Sequence, residues 1–137
     1  MMPSQASTSN DLAAMIAKLP DLVNGDAALV RRGRTLTVDV LIEIGAAPYY
    51  LSIAAGRIAR IERGPLLTRS WSFAIRGSEH AWRQFWLPMP PPHFHDLFAL
   101  AKRGEFRIEG DFYPLMSNLL YFKDVLSAPR RLAGEAH

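Results

Sequence analysis

From Thr35 to Ile44, apolar and polar residues alternate. Leu36, Val38, Val40, Ile42 and Ile44 fall on one side, and Thr35, Thr37, Asp39 and Glu43 on the other, with Leu41 alone breaking the polar set. A period of two is the pattern of a strand with one covered and one wet face. The turn Gly45-Ala46-Ala47-Pro48 leads into Tyr49, Leu51 and Ile53, which predict a second strand running up to Gly56 and closing a hairpin. A third strand is predicted over Arg57 to Arg63, where Ile58 and Ile61 are out of phase and so imply a bulge or an exposed edge. Beyond Gly64-Pro65, the stretch Ser70 to Arg76 predicts a fourth strand with Trp71, Phe73 and Ile75 on one face, the four forming a meander.

Elsewhere the period changes to that of a helix. Leu12, Ile16 and Leu19 predict a first helix, capped by Ser9 or Asn10 and ended by Pro20. Ser78 opens another, on which Trp82, Phe85 and Trp86 share one side. Pro88, Pro90, Pro91 and Pro92 break it, and Phe94, Leu97, Phe98 and Ala101 mark a further helix running to about Arg103, capped by Gly104. Phe106 and Ile108 between Glu105, Arg107 and Glu109 give a fifth strand, which turns at Gly110-Asp111. In the closing stretch from Phe112 to Leu126, ten of fifteen residues are apolar or aromatic. A helix that buries one face needs only about three in seven. This one carries a surplus.

The expected architecture is therefore α+β: a single five-stranded, mainly antiparallel sheet with helices packed on one face, forming one domain over residues 1–137. Residues 1–9 and 129–137 read as loose ends. The closing helix, laid over the sheet with Trp82, Phe85 and Trp86, either fills the interior solidly, encloses an apolar hollow, or meets a second copy of the chain.

Composition narrows the choice. The 16 basic and 13 acidic residues are spread out, and no dense basic stripe with interleaved aromatics signals nucleic acid. The mild positive excess favours at most a transient contact with an anionic membrane surface. With no cysteine there is no disulfide, thiol nucleophile or thiolate metal site, which fits a cytoplasmic protein. Neither a secretory leader nor a run of about eighteen apolar residues is visible.

Chemistry is sparse. His93 and His95, one residue apart and followed by Asp96, are weak metal candidates, since alternate residues of an extended segment face the same way. No third ligand stands at a credible spacing, and the alternative is a solvated helix start. Neither a Gly-x-Ser-x-Gly elbow nor a phosphate-cradling glycine loop occurs. No catalytic residue, metal or cofactor is expected. The exposed alternative for Trp82 and Trp86, with Arg83 beside them, is an anchor for a protein partner.

The segments WSFAIRGSEHAW and LFALAKRGEFRIEGDFYPLMSNLLYF resemble the sterol carrier protein 2-like lipid-transfer family from about Thr35 to Leu126. The most specific part of the likeness is Gly104, Phe106, Ile108, Gly110 and Asp111, and the hairpin VDVLIEIGAAPYYLSIAAGRI agrees with it. The resemblance implies a five-stranded sheet with helices over one face. It also implies an apolar tunnel between them for fatty acids, acyl-coenzyme A or sterols, bordered by the closing helix. The proline run LPMPPPHFHD departs from the compact glycine-bearing link of that family, and the terminal Glu-Ala-His is unlike a peroxisomal address. The expected function is non-catalytic binding or transfer of an apolar ligand, with Trp82, Phe85, Trp86, Phe98, Met116, Leu119, Leu120 and Phe122 as its lining. The alternative is a protein-interaction or dimerisation module using the same apolar helices.

Overall fold

A computed structural model describes residues 11–65 and 69–135. Five strands form one sheet: β1 (Thr37–Ile44), β2 (Ala47–Ala54), β3 (Arg57–Arg63), β4 (Phe73–Gly77) and β5 (Phe106–Gly110). Their spatial order is β3-β2-β1-β4-β5. β1 and β2 pair as the expected hairpin, with Val40 opposite Leu51, and β3 adds antiparallel to β2. β4 departs from the expected meander. It lies parallel to β1, with Val40 beside Phe73, and β5 pairs antiparallel on its far side. A parallel pair needs a crossover, and the chain makes it between Arg63 and Phe73. The physical reason is burial. Phe73, Ala74 and Ile75 are all fully buried, which requires covering on both faces of an inner strand, and a place beside the exposed β3 would not supply it.

The out-of-phase isoleucines of β3 are explained by a bulge. Ser52 faces Arg60 while Ile53 faces Ile58, which leaves Ala59 as the extra residue and returns the buried Ile58 to the core side. Gly56, in the β2–β3 turn, has φ +82, and a Cβ there would come within 2.5 Å of the Val30 carbonyl, so only glycine suits both the turn and the close approach.

The described part of helix α1 covers residues 11–17, while its expected caps, Ser9 and Asn10, lie outside the described residues. Pro20 does not end the helical region. It sits in the first turn of α2 (Leu19–Asn24), where a missing N–H costs nothing. α3 (Ala27–Arg32) follows, capped by the Asp26 carboxylate, which accepts from the Leu29 amide at 3.2 Å. Ser78 and Asp96 cap α4 (Glu79–Phe85) and α5 (Leu97–Lys102) in the same way, each accepting at 3.0 Å from the amide three residues on.

The closing apolar stretch forms two helices, α6 (Tyr113–Ser117) and α7 (Leu119–Ser127). Asn118 separates them at φ −128 and ψ 40. Its side-chain amide donates to the Pro114 carbonyl at 3.0 Å, a local bond that competes with helical continuation. Arg130–Glu135 form a last short helix, α8, inside the tail that the sequence pattern leaves loose.

The helices cover one face of the sheet. Val40, Ile42, Leu51, Phe73 and Ile75 join Leu12, Ile16, Val23, Trp82, Leu115 and Phe122 in the main core. On the opposite face Leu41, Tyr50 and Ala74 gather against Trp71, which accounts for the single apolar break in β1. Trp71 thus lies on the other side from Phe73 and Ile75, contrary to strict alternation. The chain bends at Ser72, whose N–H donates to the Asp39 carbonyl at 2.8 Å, and regular β4 pairing starts only at Phe73. That outer face is otherwise charged: Arg76 bonds to Glu43 at 2.9 Å and Glu109 at 2.8 Å. Its hydrogen bond to Arg76 holds the Glu109 carboxyl below its ordinary range.

Candidate ligand-binding layer

Ser78 sets the phase of α4, so Trp82, Phe85 and the C-terminal Trp86 all turn inward and are buried. The centroid of Trp82 lies 4.5 Å from that of Phe106, 5.0 Å from Trp86 and 5.9 Å from Phe85. Gly77 permits this closeness, since a Cβ there would sit 2.4 Å from the Phe106 ring. Each indole N–H has an acceptor: Trp82 donates to the Glu43 carbonyl at 2.9 Å and Trp86 to the Leu126 carbonyl at 2.7 Å. The two bonds tie α4 to the end of β1 and to the end of α7.

α7 closes the layer from above. Phe122 is buried and meets Phe73 edge-on at 5.1 Å. Beside it the buried Tyr121 donates its hydroxyl to the Gly56 carbonyl at 2.6 Å. Burial pushes this phenol up to about 12. No residue of polar or charged type is buried among the described residues, so apart from the hydrogen-bonded Tyr121 hydroxyl and indole N–H groups the layer is apolar.

The residues expected to line a tunnel thus separate into three groups. Trp82, Phe85, Trp86 and Phe122 come together inside, with their rings in contact with one another or with sheet aromatics. Phe98 and Leu119 are half-buried. Met116 and Leu120 face outward, 53% and 67% exposed, and with Phe112 at 47% and Tyr113 at 76% make an uncovered apolar stripe on α6 and the start of α7. Phe73, Phe106, Leu115 and Tyr121 belong to the layer but were not among the expected lining. The strand alternation around Phe73 and Phe106 already pointed them inward; nothing in the closing run distinguished Leu115 from Met116.

Grooves open at the margin of this layer. One of about 210 Å³ is lined by Phe85, His95, Asp96, Leu97, Lys123, Asp124, Ser127 and Arg130. A second, of about 390 Å³, shares Asp124, Ser127 and Arg130 with it and adds Asp26, Leu29, Ala128 and Arg131. A third, more apolar groove of about 290 Å³ lies between Ile16, Pro20, Tyr49 and Ile61. The carboxylate of the His93-Phe94-His95-Asp96 motif is already engaged, one oxygen accepting from the Ala99 amide and the other from Lys123 at 3.0 Å. Burial opposes its charge, but the Lys123 ammonium and the amides of Ala99 and Phe98 outweigh that and hold Asp96 below the usual carboxylate range. Among the described residues, no group of three or more histidines and carboxylates is placed to hold a metal. No helix among them is long and apolar enough to cross a membrane.

No protein-family model matches the chain, and no curated protein is significantly similar in sequence. Solved structures are similar in fold. A crystal structure of sterol carrier protein 2 is 12% identical, with a TM-score of 0.67, over 85% of this chain and 94% of that one. UbiJ-SCP2, a ubiquinone synthesis protein, is 14% identical with a TM-score of 0.56 over 87% and 90% of the two chains. Sterol carrier protein domain 2 of Helicoverpa armigera is 12% identical with a TM-score of 0.53 over 84% and 86%. The chain has a sterol carrier protein 2-like fold.

Proposed function

We propose that this chain binds or transfers an apolar ligand, a fatty acid, acyl-coenzyme A or sterol-like lipid, between its sheet and α4–α7, without catalysing a reaction. One observation carries the reading: Trp82, Phe85, Trp86 and Phe122 meet in a layer with no buried residue of polar or charged type among those described, within a fold shared with sterol carrier protein 2. In the absence of ligand the rings satisfy one another. A ligand takes its place by parting α7 from the sheet, exchanging ring contacts for its own. Each methylene buried contributes on the order of 0.8 kcal/mol, so a long chain offsets the contacts it displaces without any directed polar motif. The contacting residues in this reading are Trp82, Phe85, Trp86, Phe98, Leu119 and Phe122; the outward Met116 and Leu120 are left out.

The test is uptake of a fluorescent long-chain fatty acid. Leu119→Arg places a charge at the half-buried margin of the layer, and uptake is expected to fall far more than the melting temperature does. Equal loss of both would return these residues to the role of plain core. A second reading has its own observation, the uncovered stripe of Phe112, Tyr113, Met116 and Leu120, which suits a second copy of the chain or a protein partner. Chromatography coupled to light scattering, with and without lipid, separates the two: an interface gives a mass that rises with concentration, a ligand layer gives lipid uptake at constant mass.

A further inference from the structure

We propose that Arg130 is an oxyanion site: it receives the carboxylate or phosphate at the head of an amphipathic ligand whose apolar chain lies against Phe85. The amphipathic part of this inference rests on the ligand layer proposed above.

The half-buried Arg130 stands at the junction of the two polar grooves, lining both. Its Nε–H donates to the Phe85 carbonyl at 2.7 Å and its Nη2 to the His95 carbonyl at 2.8 Å. The guanidinium carbon lies 4.6 Å from the centroid of the Phe85 ring. These contacts fix the plane of the fork but bring no negative charge. Among the side chains described, which do not include residues 133–137, no carboxylate oxygen lies within 4.0 Å of Arg130.

The acids that share its grooves have other partners. Asp96 pairs with Lys123 at 3.0 Å, Asp124 with Arg32, and Asp26 with Arg131 at 3.8 Å. Among the side chains described, Arg130 is thus a partly desolvated cation without a counter-ion, and burial holds its pKa below the usual arginine value. Such a charge gains from a bound anion more than a solvated one does. Nε and one Nη2 hydrogen are spent on the carbonyls, which leaves the Nη1 amine and the remaining Nη2 hydrogen for two oxygens side by side, the geometry a carboxylate or phosphate offers.

Phe85 supplies the connection to the apolar layer. Arg130 lies over its ring, while the same ring packs edge-on against Trp82 at 5.9 Å and Phe106 at 5.6 Å. A chain lying along Phe85 inside would therefore bring its head to the guanidinium outside. The occupant is an acid with an apolar tail; a free phosphate presents the same oxygens without the tail.

The experiment compares palmitate, hexadecanol and inorganic phosphate as ligands of the full chain and of Arg130→Met, and follows the Arg130 Nε–H resonance of the wild type by NMR. Palmitate is expected to bind at least about tenfold more tightly than hexadecanol, the scale of a charge-assisted pair. In Arg130→Met that preference should shrink to within about twofold. The Nε–H resonance should move further with palmitate than with hexadecanol, a readout that stands even if the variant does not fold. Equal binding of acid and alcohol by the wild type, or a preference that survives in Arg130→Met, overturns the site and leaves the ligand layer intact. If neither lipid binds, the proposed function fails. The phosphate arm then decides: a shifted Arg130 resonance sustains the site for a soluble anion, and an unmoved one ends it.

Discussion

Two helical regions of this chain carry more apolar bulk than an ordinary amphipathic helix, and they dispose of it differently. On α4, Trp82, Phe85 and Trp86 all turn inward, so its three large aromatic rings are buried. On α6 and α7 the bulk divides: Leu115, Tyr121, Phe122, Val125 and Leu126 are buried, and Met116 and Leu120 are not. The difference lies in what surrounds the apolar positions. α4 has polar residues on its other side, so its stripe has a phase. The closing stretch is apolar at consecutive positions, so its pattern states that the segment is covered without stating which side.

The largest effect is expected at the centre of the α4 cluster. Trp82→Ala removes ring contacts with Phe85, Trp86 and Phe106 and leaves the Glu43 carbonyl without its donor, and should cost about 3–5 kcal/mol in a denaturant melt. A loss below about 1 kcal/mol would mean that the cluster is loose.

Next is Tyr121, on the inward face of α7. Tyr121→Phe leaves the Gly56 carbonyl without its hydroxyl donor and should cost about 1–3 kcal/mol at neutral pH. The wild type should also lose stability in alkali. The phenol titrates near 10.0 when unfolded and at about 12 when folded. The contribution of its raised pKa is therefore complete below pH 10 and lost as pH climbs towards 12. Tyr121→Phe should flatten that decline in a thermal-melt series across this range. The smallest effect belongs to the outer stripe: Met116→Lys and Leu120→Lys should each change stability by less than about 0.5 kcal/mol. A loss of several kcal/mol at either position would show that the stripe is covered and would erase the comparison.

Much of this fold was legible in the sequence wherever a period had one clear phase. The alternation of β1, the bulge or exposed edge implied by Ile58 and Ile61, the Ser78 cap and the aromatic stripe of α4 all correspond to local rules of geometry. What escaped was non-local or ambiguous. The parallel seat of β4 beside β1 depends on which strands need two covered faces, a property of the whole sheet. The turning of Trp71 to the outer face depends on a bend at Ser72 and on finding Leu41, Tyr50 and Ala74 there. Asn118 divides the closing helix through a hydrogen bond that spacing alone does not reveal. Of the candidate lining residues, those on α4 could be read correctly as inward, whereas the choice between neighbours such as Leu115 and Met116 could not. Arg130 escaped for a different reason. Its setting is made by the carbonyls of Phe85 and His95, both distant in sequence and without a motif.

The most direct test of a ligand seated between sheet and helices is an NMR measurement with isotope-labelled palmitate and unlabelled protein, filtered for contacts between the two. Cross-peaks are expected from the acyl chain to the rings of Trp82, Phe85 and Phe122, and none to the side chains of Met116 and Leu120. Cross-peaks confined to Met116, Leu120 and Tyr113 would place the lipid on the outer stripe and contradict it.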